Sequence, residues 1–272
     1  MKNLITGVFT LMAMGFTFAQ ANIDVTTQTG NWNVATVTQT GLMNSNTLTQ
    51  DGNRNTADIS QVGSFNTNTA ESIGNRNSIE VDQTGDGNSN DVSQTGNRNV
   101  ATTLQVGVTN TTQQTQTGNR NEASSTQLGT DNFAYQLQSG RRNEATLIQT
   151  GDDNIGLQIE LGRRNQATGV QIGDGNIFIQ YQSGNDNVAL HGQVGDNNIQ
   201  TSIQEGNDNI AMGLQWGNNN QLYQQQDGNG NIALDLQLGN NNFTQLSQSG
   251  DANIHLGAQI GNNNTIMVTQ SN

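Results

Sequence analysis

Glycine stands at position 30 and at every eleventh position after it, through Gly41, Gly52, Gly63 and Gly74 to Gly250 and Gly261, twenty-two times without a slip. Asparagine follows each glycine by three residues, from Asn33 and Asn44 to Asn253 and Asn264. Glutamine precedes the glycine by two residues in 20 of the 22 units, and the departures are Ser72 and Glu160. Asn22 and Gln270 extend the two series at either end. A strict short period of this kind is the signature of a repeat architecture, and it takes precedence over composition in choosing a fold.

Eleven residues fit three helical turns. A helix would carry a glycine, an asparagine and several β-branched residues in every unit, at roughly 1 kcal/mol for each glycine alone, and no apolar seam runs along it. The alternative is a strand of about seven residues followed by a Gly-x-x-Asn turn, since glycine and asparagine tolerate positive φ. The stretches between turns, such as Val34–Gln39 and Ile232–Gln237, are rich in strand formers. Several features recur every 22 residues instead of every 11. Ala35, Ala57, Ala101, Ala123, Ala145, Ala167, Ala189, Ala211 and Ala233 occupy alternate units, and so do Arg54, Arg76, Arg98, Arg120, Arg142 and Arg164 in the turns. Two strands and two turns thus make one coil. The predicted fold is all-β, a β-solenoid of strand–turn–strand coils with amyloid-like stacking. It has 22 residues per coil and 11 per half-coil, about 11.5 coils in a stack about 55 Å long at ~4.8 Å per level.

Composition fits a thin solenoid better than a conventional domain. Apolar residues are 31% of the chain, with no proline and no cysteine, well below the ~45–50% of globular domains. Strand residues alternate in facing, so Asn at +3 (glycine as zero), the residues at +5 and +7, and Gln at +9 share one face. If that face is inward, amides stack on amides. The columns run through Gln28, Gly30, Asn33, Ala35, Gln39, Gly41 and Asn44, then Gln94, Gly96 and Asn99, then Gln116, Gly118 and Asn121, and on to Gln259, Gly261 and Asn264. A side-chain amide donates up and accepts from below, so a continuous column leaves none unpaired.

In the first half the apolar residues share the amide parity, as Val37, Leu48 and Ile59 do. Beyond about residue 155 the opposite parity becomes apolar on alternate strands: Ile210, Met212, Leu214 and Trp216, then Ile232, Leu234, Leu236 and Leu238. With amides inside, this is an exposed stripe fit for lateral contact; with the facing inverted, it is core. The turn charges segregate. The arginine series, with Arg141 and Arg163, lies on one edge, and Asp86, Asp131, Asp152, Asp153, Asp174 and Asp196 lie on the other. They are either solvated turns or gatekeepers against stacking that attract laterally.

The N-terminus differs in kind. Lys2 leads into an apolar run from Leu4 to Ala19, and Ala19-Gln20-Ala21 has the form of a cleavage site. Residues 1–21 are expected to be a secretory signal peptide and residues 22–272 one solenoid domain beginning on Asn22, the first residue of the repeat. No integral membrane segment is expected after cleavage. Loss of Lys2, the only lysine, leaves eight arginines against 22 acidic residues, a net charge of −14, which disfavours nucleic acid as a partner.

The segments Gln28-x-Gly30-x-x-Asn33-x-Ala35-x-x-x-Gln39, Gln50-x-Gly52-x-x-Asn55-x-Ala57-x-x-x-Gln61 and Gln94-x-Gly96-x-x-Asn99-x-Ala101-x-x-x-Gln105 resemble the curlin repeat of bacterial curli fibres. The resemblance implies a secreted amyloid-fibre subunit of the biofilm matrix at the cell surface, used in adhesion. It also implies a nucleating minor curlin and an outer-membrane secretion pore as partners. The chain has more repeats than major curlins usually carry, shows no Gly-rich export segment before Asn22, and has Asn or Thr where many curlin repeats open on Ser. Its last residues lack the basic side chains of a nucleator-like subunit, so it resembles the major, fibre-forming subunit more.

Function is expected at the ends. A repeat running uncapped from Asn22 to Gln270 offers strand edges to further copies of itself, with Asn22, Val25 and Gln28 at one end and Ile266, Val268 and Gln270 at the other. Head-to-tail contacts of this type do not close and so build filaments. No catalytic or metal site and no cofactor is expected. His191 and His255 fall on repeat positions, and Gly85-Asp-Gly87, Gly173-Asp-Gly175 and Gly228-Asn-Gly230 are repeat glycines beside turn glycines. The alternatives are a monomeric adhesin and an ice-binding solenoid. The latter needs a regular threonine array, which Asp58 and Glu80 interrupt.

Overall fold

A computed structural model describes residues 21–272 as a β-solenoid. The predicted signal segment lies outside the described residues, apart from Ala21. Twenty-three strands follow one another, from β1 (Ile23–Asn31) and β2 (Val34–Leu42) to β22 (Ile254–Ile260) and β23 (Thr265–Ser271). Odd-numbered strands form a 12-stranded sheet and even-numbered strands an 11-stranded sheet, each in strict sequence order. Every pairing is parallel and joins residue i to residue i+22, as in Gln28↔Gln50 and Gly30↔Gly52. One coil is therefore an odd strand, a turn, an even strand and a second turn.

The turn chemistry explains why the period cannot slip. The repeat glycine has a positive φ at every level, such as 122° at Gly52 and 117° at Gly118. A Cβ built on Gly52 would collide with the carbonyl oxygen of Gly74 one rung away, so both conformation and rung spacing require glycine there. The residue at +2 is left-handed as well, with φ of 62° at Trp32 and 59° at Arg54, a conformation that costs an L-residue about 1–2 kcal/mol. Its backbone N–H is bonded to the preceding turn, as Arg54 N donates to Asn31 O at 2.9 Å and Arg76 N to Asn53 O at 3.0 Å. The rung-to-rung hydrogen bonds thus continue around the corner and offset the strain.

Side chains at +3, +5, +7 and +9 face inward along the whole stack, and those at +4, +6, +8 and +10 face out. The facing never inverts. The core is the two layers of side chains that the sheets turn toward each other, and its centre changes character along the axis. Leu48, Ile59, Ile79, Val81 and Val92 form an apolar cluster in the first coils. Hydroxyls and amides take over at Thr103, Thr112, Gln114 and Ser125. Further on, large side chains meet glycines across the core: a Cβ on Gly156 would strike Leu147, and one on Gly169 would strike Phe178.

Candidate functional site: amide columns and open end rungs

The Asn column works as an extension of the backbone. Asn99 Nδ2 donates to Thr95 O within its own turn at 3.4 Å and to Gly118 O in the next coil at 3.1 Å. Its Oδ1 accepts the backbone N–H of Asn121 at 3.0 Å. One side chain therefore closes a turn and joins two rungs, filling the gap that a turn would otherwise open in the ladder. Asn33, Asn44 and Asn121 make the corresponding bonds to Gly52, Gly63 and Gly140. Asn22 is already a member, since its Oδ1 accepts Asn44 N at 2.9 Å.

The Gln column ties the two sheets together. Gln94 Nε2 donates to Ser78 O on the opposite sheet at 2.9 Å and to Gln116 Oε1 one rung on at 2.8 Å. Gln28 and Gln39 open the two columns by donating to Gln50 at 2.6 Å and Gln61 at 2.7 Å. Gln259 and Gln270 receive the last bonds, from Gln237 and Gln248, both at 2.8 Å. Every amide-to-amide bond in the two Gln columns donates toward the C-terminal end, so the stack has a direction.

The columns break where the sequence departs from the repeat. At Ser72 the hydroxyl is too short to reach, and both Ser72 Oγ and Gln94 Oε1 are buried without a partner. At Glu160, Oε2 accepts Gln138 Nε2 at 2.7 Å, while Glu160 Oε1 and Gln182 Oε1 are both buried without a partner. Two facing acceptors lack only a proton between them. Burial pushes the Glu160 carboxyl up to about 8, only partly offset by the Gln138 donor. The neutral acid can donate from Oε1 to Gln182 and complete the column. Burial likewise pushes His191 down to about 3, and the neutral ring receives Gln200 Nε2 on Nδ1 at 2.7 Å. Both titratable side chains are thus structural members of the core.

The turn charges divide between two edges. Arg54, Arg76, Arg98, Arg120, Arg142 and Arg164 stand one per coil at the +2 position of the odd-to-even turns. With Asn31, Asn53, Asn75, Asn97 and Asn119 most of them line a shallow groove. These asparagines form a further ladder that the sequence reading missed, with bonds of 3.2 Å from Asn31 to Asn53 and 2.9 Å from Asn75 to Asn97. The repeated string Gly-Asn-Arg-Asn was its signal. Among the described residues only Arg164 has an acidic partner, Asp186 at 3.2 Å. On the opposite edge, Asp86, Asp152, Asp174 and Asp196 each accept the backbone N–H of the preceding turn at 2.9–3.1 Å. They are interlevel acceptors as well as solvated charges.

The apolar stripe lies outside. Ile210, Met212, Leu214 and Trp216, then Ile232, Leu234, Leu236 and Leu238, project from the outer face of the even sheet, with Trp216 61% exposed. Leu190, Met212, Leu234 and Leu256 line a shallow depression on this face. No helix among the described residues is long and apolar enough to cross a membrane, and no group of three or more His, Cys, Asp and Glu side chains converges there.

At both described ends the ladder stays open. β1 and β2 each pair on one side only, with β3 (Ser45–Asn53) and β4 (Thr56–Ser64), and β22 and β23 do the same with β20 (Ile232–Leu238) and β21 (Phe243–Ser249). Val25 is 52% exposed.

Columns of amides in two parallel sheets, linked by Gly-x-x-Asn turns, define a structural repeat protein of the β-solenoid class. The curlin associated repeat matches residues 25–52, 52–85 and 239–271, so the chain is similar to that family over those stretches. The columns run on through residues 86–238 with the same register. No curated protein gives a match to the chain.

Proposed function

We propose that this protein is a secreted structural subunit that stacks end to end into an extracellular, curli-like amyloid fibre. The observation that carries this reading is the directed, in-register ladder with an open rung at each described end. Gln28 and Gln39 present free amide oxygens at one end, and Gln259 and Gln270 have a donor left at the other. Head-to-tail contact continues every column, whereas tail-to-tail contact sets donor against donor. An exposed edge on a stacked ladder is a template for strand addition, and a heterologous contact that does not close yields a filament. Cleavage of a leader after Ala21 would leave Asn22 and Val25 at the growing edge.

The curlin repeats support a place in the biofilm matrix and in adhesion, with a nucleating minor curlin and an outer-membrane secretion pore as partners. The test is to incubate residues 22–272 and follow thioflavin fluorescence, sedimentation and fibre diffraction. Sedimenting fibres with a meridional spacing of ~4.8 Å are expected. A chain that stays monomeric at high concentration, seeded or not, overturns the proposal.

A further inference from the structure

The strand count is odd, with twelve strands in one sheet and eleven in the other. We propose that successive copies in the fibre are related by a half-turn about its axis, so that β1 of each copy sits on β22 of the previous one and β2 on β23. This rests on the end-to-end reading above and adds the geometry of its junction.

Backbone geometry permits the exchange of sheets. The turns at the two edges are alike, with φ of 122° at Gly52 and 121° at Gly63, and of 59° at both Arg54 and Phe65. Each half-coil is thus a near-copy of the next, related by a half-turn and a rise of half a level. Twenty-three such steps leave a net half-turn. Seating β1 on β23 instead keeps each sheet on its own kind, but the even sheet is then one strand short at every junction.

The side chains at the centre of the end rungs choose between the two seatings. Both continue the Asn and Gln columns, so only +5 and +7 discriminate. With the half-turn, Ala35 and Val37 of β2 meet Ile266 and Val268 of β23, apolar on apolar. Asp24 of β1 then meets His255 of β22, whose Nε2 is already bonded to Asp235 Oδ1 at 3.0 Å. On the outer face Ile23 and Val25 continue the column of Ile254 and Leu256, all more than half exposed in the single chain. Without the half-turn, Asp24, whose Oδ1 accepts Thr26 Oγ1 at 3.0 Å and Asn46 Nδ2 at 2.6 Å, is buried against Ile266, which offers the carboxylate no donor across the junction.

One consequence concerns the fibre surface. A half-turn exchanges the two edges, so the arginine edge of one copy lies on the same side as the aspartate edge of the next. Fibre edges then alternate in charge every ~55 Å, and parallel fibres can pair without like charges facing.

The chain has no cysteine, which makes the junction easy to probe. Val25, Leu256 and Met267 are 52%, 71% and 69% exposed and share the +6 position of the repeat, Val25 and Met267 on the odd sheet and Leu256 on the even one. Paired positions on neighbouring strands are ~4.8 Å apart, within disulfide reach. Fibre formation by the unaltered chain is scored first by sedimentation, and its absence defeats the end-to-end reading itself. In oxidised fibres, Val25→Cys with Leu256→Cys should give a ladder of covalent multimers, while Val25→Cys with Met267→Cys stays monomeric on the same gel. The reverse pattern, or no multimers from either pair in fibres that do form, overturns the half-turn and leaves the fibre standing. Asp24→Val gives a second readout. It should slow seeded elongation several-fold because His255, bonded in its own chain to Asp235, loses the second carboxylate that the next copy brings to it, whereas an unchanged or faster rate means that Asp24 faces Ile266.

Discussion

The rim of the core and its centre obey different rules. At the rim, Asn at +3 is invariant and Gln at +9 departs only at Ser72 and Glu160, because each side chain bonds to backbone groups of neighbouring strands. Asn99 serves the carbonyls of Thr95 and Gly118 and the N–H of Asn121, three backbone groups that no other side chain of that size satisfies together. At the centre, +5 and +7 are not held to one residue type, and a local run of glutamines, Gln114, Gln136, Gln158 and Gln180, stacks there and reaches backbone carbonyls. Leucine, alanine, glycine, phenylalanine, glutamine and histidine all occur there, large against small as at Leu147 and Gly156 or hydrogen-bonded to each other as at His191 and Gln200. Backbone chemistry therefore holds the period, and volume complementarity tunes the filling.

The largest effect should come from breaking the rim. Asn110→Leu keeps the size but removes the donor to Gly129 O and the acceptor for Asn132 N. Two buried backbone groups lose partners at about 1–3 kcal/mol each. The guanidinium midpoint of the soluble chain should fall accordingly, with early hydrogen exchange around residues 108–132. A loss below ~1 kcal/mol would mean that the rim is as tolerant as the centre.

The next effect is a gain, and it depends on pH. Glu160 is a rim position held by an acid, its folded value raised from 4.5 to about 8. Between those values the folded chain holds a proton that the unfolded chain releases, so stability is highest below pH 4.5, declines toward pH 8 and is level above it. Glu160→Gln restores an ordinary rung and removes that decline. Near pH 9 it should stabilise the chain by on the order of a few kcal/mol, and at pH 4 the two proteins should unfold together. Denaturation midpoints across this range check the sign, and a constant difference at every pH would place the effect elsewhere.

A third, smaller effect belongs to the centre. Gly169→Ala forces a methyl group onto the Phe178 ring, an overpacking cost of about 1–3 kcal/mol. Adding Phe178→Leu should recover most of it, because volume is what the centre conserves. No recovery would imply that Gly169 is needed for its backbone.

How much of this was legible in the sequence follows the same division. Backbone-driven features recur in register, so Gly30, Asn33 and Gln39 announce strand, turn and column from the period alone. Facing was ambiguous for the stretch Ile210–Trp216, since parity says that alternate residues share a side and not which side is in. The arginine edge was visible, but the acceptor role of Asp86 and Asp152 was not, because it depends on a backbone N–H 22 residues away. Partners across the core were hidden for another reason. Leu147 and Gly156, like Gly169 and Phe178, sit on different strands nine residues apart, a spacing that the 11-residue alignment does not display.

The smallest net change is expected of a double variant that tests whether rim and centre can compensate for each other. Ser72 is the one rim position with a side chain too short for the column, and it leaves Gln94 Oε1 without a donor. In the same coil Ile79 replaces the alanine found at Ala57 and Ala101 in the flanking rungs, and it is fully buried beside Ala70. The large residue of the centre stands where the rim is small. Ser72→Gln alone should therefore overpack and lose ~1 kcal/mol or more, and Ile79→Ala alone should lose ~2–5 kcal/mol by leaving a cavity. Together they rebuild an ordinary rung with its amide bond, and the pair should return to within ~1 kcal/mol of the native chain. Denaturation of the four proteins gives the coupling energy directly. Additive losses would show that Ile79 does not occupy the missing amide's space, and that rim and centre are filled independently.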